Sequence, residues 1–197
     1  TITSNIASVI VDSPATITVQ PTASQTICEG DALSLSVTAT GTGLTYQWSD
    51  GGGVIAGATS SSYTISSVVA ADADTYTVAV TSSGVCSPVT VTSSNAVVGV
   101  DVAPLITVQP TASQTLCEGD ALSLSVTASG AAVLSYQWYK NGALIATATG
   151  STFNIGTVAA TDAASYTVEV TSGGVCTPAT ITSNIASVIV DSPATIT

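Results

Sequence analysis

The segment Val19 to Ala39, VQPTASQTICEGDALSLSVTA, returns at Val108 to Ala128 as VQPTASQTLCEGDALSLSVTA, changed only where Ile27 becomes Leu116. A spacing of 89 residues (19 to 108) divides the 197-residue chain into two copies of ordinary single-domain size. Whatever one copy folds into, the other must fold into as well. The first 18 residues, TITSNIASVIVDSPATIT, are also identical to residues 180–197, so the pair of copies reads as one period of a longer array. On that reading residues 1–13 are the last strand of a preceding repeat, 14–102 repeat one, 103–192 repeat two, and 193–197 the start of a following repeat. An alternative treats Thr1 to Val11 as an orphan strand that completes a neighbouring subunit by donor-strand addition.

Inside a copy the hydrophobic period is two, the signature of half-buried strands. Leu33, Leu35 and Val37 point one way, with Ser34, Ser36 and Thr38 the other; Tyr76, Val78 and Val80 alternate in the same manner with Thr77, Ala79 and Thr81. Turn clusters separate the short strands: Gly41 to Gly43, Asp50 to Gly53, Ser82 to Gly84, Asn141-Gly142 and Ser172 to Gly174. Many short strands punctuated in this way predict an all-β sandwich of two antiparallel sheets. Thr, Ser, Val, Ala, Ile and Gly dominate the chain, which fits that class.

Charge narrows the partners. Twelve acidic residues stand against one basic residue, Lys140, with no His, for a formal net charge of −11. Nucleic acid is excluded as a partner, because phosphate binding needs Lys and Arg to displace counterions. Mean hydropathy is high at +0.55, yet no run of about 18 apolar residues goes uninterrupted by Thr, Ser or Gly, so no membrane insertion is expected. No signal peptide is visible; export would require one outside this segment.

Three kinds of residue sharpen the sandwich. Trp48 and Trp138 lie in YQW, about eleven positions after Val37 and Val126, while Tyr76 and Tyr166 follow Asp72 and Asp162 by four residues. Together with the Glu-Gly turn, the alternating second strand and the YQWYKNG third strand, these features resemble the immunoglobulin superfamily. The resemblance implies tandem immunoglobulin-like antiparallel β-sandwiches, with each Trp as a core plug and each Tyr as a tyrosine corner. It also implies that Val37 with Val78, and Val126 with Val168, occupy the places of the family's inter-sheet cysteines, so that packing alone closes each core. The CEG before the second strand and the GVC after the sixth are similar to immunoglobulin-like repeats of large secreted Bacteroidota surface proteins, including adhesion and gliding filaments. That implies an extracellular, cell-surface location.

Cys28, Cys86, Cys117 and Cys176 give two cysteines per copy, which points to an oxidising compartment and disulfides. A zinc site is disfavoured: no His accompanies them, and the spacing from Cys28 to Cys86 matches no zinc motif. One pairing keeps each bond inside its copy, Cys28 to Cys86 and Cys117 to Cys176. The immunoglobulin topology implies instead that the two cysteines of a copy lie at opposite poles, separated by several strand residues at ~3.3 Å each, against a Cα reach of about 4.4 to 6.8 Å for a disulfide. It then favours a Cys28 to Cys176 bond across the junction, with Cys86 and Cys117 paired to flanking copies. Both readings stay open at the level of sequence.

Acidic residues gather at the same implied pole: Glu29, Asp31, Asp72, Asp74 and Asp101 in copy one, and Glu118, Asp120, Asp162 and Asp191 in copy two. Calcium, which takes six to eight oxygen ligands, is a weak candidate there; solvated turn residues and tyrosine-corner caps are the plainer expectation. Catalysis is not expected. Lys140 sits in an exposed hairpin, and the one close carboxylate pair outside the EGD turns, Asp72 with Asp74, is lost in copy two, where Ala164 replaces Asp74. Two function classes remain: a structural segment of an extracellular filament or long adhesin, whose partners are further copies of the repeat, or a module binding surface glycans through the loops that differ between copies. Trp48 and Trp138 are claimed by the core, leaving Tyr139 as the one free aromatic for stacking on a sugar, which favours structure.

Overall fold

A computed structural model of the chain describes residues 5–6, 9, 11–84, 88–130, 133–176 and 180–192. It divides into two compact units, Thr1–Val100 and Asp101–Thr197. Unit 1 carries β1 (Thr16–Val19), β2 (Ser24–Cys28), β3 (Leu33–Ser36), β4 (Thr38–Thr40), β5 (Thr45–Asp50), β6 (Gly53–Val54), β7 (Ser62–Ile65), β8 (Asp74–Thr81), β9 (Thr90–Thr92) and β10 (Ala96–Asp101), which ends on the first residue of unit 2. Unit 2 repeats the set as β11 (Leu105–Val108), β12 (Ser113–Cys117), β13 (Leu122–Ser125), β14 (Thr127–Ser129), β15 (Leu134–Lys140), β16 (Ala143–Leu144), β17 (Thr152–Ile155), β18 (Ala164–Ser172), β19 (Thr180–Thr182) and β20 (Ala186–Asp191). A single 3-10 turn precedes the longest strand of each unit, at Ala70–Asp72 and Ala160–Asp162.

Each unit is a two-layer sandwich. One layer of unit 1 is made by the pairs β1 with β4 and β3 with β7; the other runs β2-β10-β8-β5-β6, with β9 also on β8. Unit 2 has the same order. The alternation read from sequence is what lets a strand serve both faces: in β8, Tyr76, Val78 and Val80 are buried while Thr75, Thr77, Ala79 and Thr81 lie on the other side. Between the layers lie Leu33, Leu35, Val37, Trp48, Val68 and Val78 in unit 1, matched by Leu122, Leu124, Val126, Trp138, Val158 and Val168 in unit 2. Both tryptophans are fully buried, each directly opposite a valine on the neighbouring strand, Trp48 on Val78 and Trp138 on Val168.

One edge adds a parallel pairing to the antiparallel sheets. In unit 2, β12 runs parallel to β20, from Ser113 opposite Ser187 to Cys117 opposite Asp191. The chain reaches that edge by leaving the first layer after β11 and crossing at Gln109-Pro110, as it does at Gln20-Pro21 in unit 1. Both prolines are buried, and a residue without an N–H cannot extend the ladder it leaves. The preceding glutamine fastens the crossing: Gln20 Oε1 accepts the Ser94 N–H at 2.9 Å, and Gln109 Oε1 accepts the Asn184 N–H at 2.8 Å. Among the described residues, no helix is long and apolar enough to cross a membrane.

Candidate functional site

The most chemically specific features lie at the end of each unit that holds the 3-10 turn. In unit 1 the Asp72 carboxylate accepts the Val69 N–H at 2.8 Å, closing the turn, and the Asp72 carbonyl accepts the Tyr76 hydroxyl at 2.8 Å. In unit 2 Asp162 accepts from the Ala159 N–H at 3.1 Å, and the Tyr166 hydroxyl donates to its carbonyl at 3.0 Å. A third ring links each corner to its tryptophan. Tyr63 lies 6.2 Å from Trp48 and 5.8 Å from Tyr76; Phe153 lies 6.0 Å from Trp138 and 5.6 Å from Tyr166. Each indole N–H is satisfied by a carbonyl at 2.9 Å, of Ser60 in unit 1 and Gly150 in unit 2, as a buried Trp requires. Burial, reinforced by Tyr63 and the carboxylates of Asp72, Asp50 and Asp74, pushes the Tyr76 hydroxyl up to about 12.

Sequence reading passed over Tyr63 and Phe153, although both copies carry an aromatic there. It also passed over Ser93 and Ser183. Each of these buried serines accepts the N–H of the core valine, Val78 or Val168, at 3.0 Å and donates to the next carbonyl at 2.9 Å. Gln47 and Gln137 were missed too; their Nε2 atoms donate to the carbonyls of Ile55 and Ile145 at 2.8 Å, tying the hairpin that follows each tryptophan. The signal available was recurrence at the same place in both copies, of the same polar letter for the serines and glutamines and of an aromatic ring for Tyr63 and Phe153.

Two expectations need correction. Lys140 is not a free hairpin cation: its Nζ lies 2.9 Å from Asp162 Oδ1 with only 31 % of the side chain exposed, and it sits 5.9 Å from the centre of the Tyr166 ring. The Asn141-Gly142 turn directs it there, both residues taking positive φ (49° and 78°) as a two-residue hairpin demands. The ion pair holds the Asp162 carboxyl below its usual range and the Lys140 ammonium above its own. Nor is Tyr139 free, since its hydroxyl donates to Glu169 Oε2 at 2.6 Å. That hydrogen bond is the main cause that raises its pKa.

The carboxylates proposed for calcium are not assembled. Among the described residues, no three Asp, Glu, Cys or His side chains converge to hold a metal ion. Glu29 and Asp31 are exposed, Asp72 closes its own turn, and Asp74 accepts the Thr75 N–H at 2.6 Å. In unit 2, Glu118 accepts from Ala160 at 3.0 Å and Asp120 from Cys117 at 2.9 Å. The reason is that each bonded carboxylate serves a backbone N–H, Asp72, Asp74 and Asp120 within three residues of themselves and Glu118 on the 3-10 turn at Ala160–Asp162. Asp101 is different. It is 7 % exposed, lies against Gly174, and accepts the Cys176 N–H at 3.1 Å.

The sulfur atoms divide into two states. Cys28 and Cys176 are disulfide-bonded, whereas Cys117 is an exposed free thiol. Cys86 lies outside the described residues. The alternative that joins Cys117 to Cys176 is thereby overturned, and the topology of unit 2 explains why. Cys117 ends β12 beside Asp191, at the 3-10 end, while Cys176 follows Ser172 at the far end of β18. Nine strand residues separate those ends, about 30 Å at the usual rise.

Comparison with known proteins agrees with this architecture. Residues 14–104 match the family model described as Ig-like domain CHU_C associated, and residues 103–172 match Immunoglobulin domain. A segment of 62 residues is 50% identical to the Decoration protein of Escherichia phage T5, taking in 31% of this chain and 38% of that protein. Among solved structures, an I-band fragment of titin superimposes with a TM-score of 0.64 at 17% identity, covering 92% of this chain and 67% of that one. Sidekick-1 immunoglobulin domains 1-5 give 0.64 at 20% identity, covering 91% of this chain and 38% of theirs. The chain therefore spans little more than a third of the phage protein and of the Sidekick-1 fragment. Likeness at such identity to the solved structures speaks for fold, and with the two family matches it leads to one statement: this chain is an all-β tandem of immunoglobulin-like domains.

Proposed function

We propose that this segment is a non-catalytic structural unit of an extracellular array, a filament or a long cell-surface adhesin, in which sandwiches joined in series supply length and stiffness. The observation that carries the reading is repetition at two levels: the same sandwich built twice from nearly the same letters, and an 18-residue segment that returns unchanged at residues 180–197. The match to a CHU_C-associated domain supports a secreted surface protein of the Bacteroidota kind. Catalysis finds no support in the side chains, since there is no His and the lone cation, Lys140, is held by Asp162. Disulfides add to the stiffness, and the bonded state of both Cys28 and Cys176 supports the pairing of these two sulfurs.

A second reading has its own support. The 50% identity to a phage decoration protein favours a display module that attaches to a larger surface and projects its loops. Electron microscopy of the native protein separates the two: strings of beads spaced by one domain support the array, whereas isolated short rods that bind intact phage particles and form no strings overturn it. Peptide mapping without reduction tests the pairing of Cys28 with Cys176, and a Cys28 to Cys86 peptide pair would rule it out.

A further inference from the structure

The tyrosine corners of the two units share one frame but not one charge. In unit 2 the corner carries its own cation. Lys140 Nζ lies 2.9 Å from Asp162 Oδ1 and 5.9 Å from the centre of the Tyr166 ring, while Asp162 Oδ2 accepts the Ala159 N–H. A carboxylate oxygen beside an aromatic ring is a setting that holds an ammonium ion partly out of water. Unit 1 builds the same frame: the Tyr76 hydroxyl donates to the Asp72 carbonyl, and Asp72 Oδ2 accepts the Val69 N–H. Asp72 Oδ1 is the counterpart of the atom that holds Lys140, and among the described residues it has no hydrogen-bond partner.

Three positions around this frame differ between the units, and each difference makes unit 1 more attractive to a cation. Asp50 stands where unit 2 has Lys140, since the two open equivalent hairpins, Asp50 opposite Gly53 and Lys140 opposite Ala143. Asp74 stands where unit 2 has Ala164, each the first residue of its long strand. Tyr63, opposite Leu35, brings a hydroxyl where Phe153, opposite Leu124, has none. Asp50, Asp72 and Asp74 are all half-buried. Asp74 rests against the hairpin, where a Cβ added at Gly51 would fall 2.6 Å from its Oδ1. The carboxylates also act on the rings, since after burial it is Asp72 and then Asp50 that raise the Tyr63 hydroxyl.

We propose that the Tyr76 corner of unit 1 binds a primary ammonium carried on an alkyl chain, either a lysine side chain of a partner protein or a free polyamine. Asp72 Oδ1 is the direct acceptor, and Asp50 and Asp74 add flanking negative charge. Unit 2 is the same site filled from within its own chain. The cation for unit 1 has to come from another molecule, because the one basic side chain of the sequence, Lys140, is already engaged. Among the described residues the carboxylates do not converge on a metal ion, whereas Lys140 shows that one carboxylate beside a ring suffices for an ammonium. The site is read from the two corners alone and holds whether the chain serves in an array or on a particle surface.

The test titrates the whole chain with n-butylammonium chloride at neutral pH and low salt, followed by amide NMR. Saturable shifts are expected at Asp50, Gly51, Asp72 and Asp74, without shifts of that size at the Tyr166 corner or with sodium chloride at equal ionic strength. Asp50→Lys and Asp74→Ala give unit 1 letters with which unit 2 already folds, so both keep the frame. Asp50→Lys abolishes the response and raises the melting midpoint of unit 1 by supplying the ammonium from within, and Asp74→Ala weakens binding. Asp72→Asn, which keeps the side-chain shape, weakens it about fivefold, the upper range for a pair open to solvent. Shifts spread evenly over Glu29, Asp31 and the other exposed carboxylates overturn the proposal, as does an Asp50→Lys chain that responds like the parent. Calcium chloride that moves the same signals at lower concentration than n-butylammonium overturns it too. Tighter binding of Nα-acetyl-lysine amide than of spermidine supports the site with a protein lysine as its ligand, and the reverse order supports it with a polyamine.

Discussion

Replacing Lys140 with methionine keeps the length of the side chain and deletes its charge, leaving the Asp162 carboxylate with the Ala159 N–H alone. The Nζ to Oδ1 distance is 2.9 Å, with 31 % and 20 % of the two side chains exposed. Fully exposed pairs contribute about 0.2 to 1 kcal/mol, and partial burial strengthens the attraction while water still screens it. The coupling between Lys140 and Asp162 should therefore be about 1 kcal/mol, which for a unit of this size moves the midpoint of thermal unfolding by about 4 to 8 °C. The cycle of K140M, D162N and the double variant, followed by circular dichroism, isolates that term. Its pH dependence has a fixed sign. The Asp162 pKa is depressed on folding, chiefly by Lys140 and then by the Ala159 N–H, so its share is complete above the ordinary carboxylate value and disappears as pH falls through the depressed one. The Lys140 pKa is raised, chiefly by Asp162, so its share is complete below the ordinary lysine value and is lost as pH rises through the raised one. A coupling that is flat across the neutral range and vanishes in strong acid and strong base is expected. A coupling near zero at pH 7, or one that persists unchanged at pH 2, would refute the assignment.

Trp48→Ala should cost unit 1 about 3 to 5 kcal/mol, through lost burial and the space left opposite Val78; urea unfolding that shifts by under about 1 kcal/mol would contradict a central plug. Ser93→Ala strips the buried Val78 N–H of its acceptor and should destabilise by about 1 to 3 kcal/mol, whereas Ser94→Ala, which loses only an exposed hydroxyl, should be close to silent in the same melt. Gly174→Ala places a methyl group where Asp101 sits, and overpacking of that kind costs about 1 to 3 kcal/mol. Combining it with Asp101→Ala should recover part of the loss, and the absence of recovery would disconnect the two residues.

The all-β class and the tandem organisation were legible because they depend on features that sequence carries directly: period two in Leu33-Ser34-Leu35-Ser36, turn residues at fixed intervals, and a repeated segment. The parallel edge was not legible. Nothing in SQTLC states which partner a strand will choose; that choice follows from the crossing at Gln109-Pro110, which matters only once the second layer exists to receive it. The fates of Lys140 and Tyr139 were hidden for a related reason. An alternating strand puts successive residues on opposite faces, but a long side chain also reaches across to the neighbouring strand, as Tyr139 of β15 reaches Glu169 of β18, or to the turn that leads into it, as Lys140 reaches Asp162. The carboxylates grouped by implied pole do not converge because hydrogen bonds to backbone a few residues away claim Asp72, Asp74 and Asp120 first, and Asp101, at the end of β10, accepts the Cys176 N–H instead.

The parallel ladder between β12 and β20 joins a strand near the start of unit 2 to the strand that closes it. Tension applied at the two ends of the unit would pull these neighbours in opposite directions along their own length. Every rung from Ser113 to Cys117 then bears load at the same moment in shear, where a hairpin pulled from its open end would surrender its rungs one after another. A domain wired in this way yields late and abruptly, so the crossing at Gln109-Pro110 decides how much force the unit withstands before it extends.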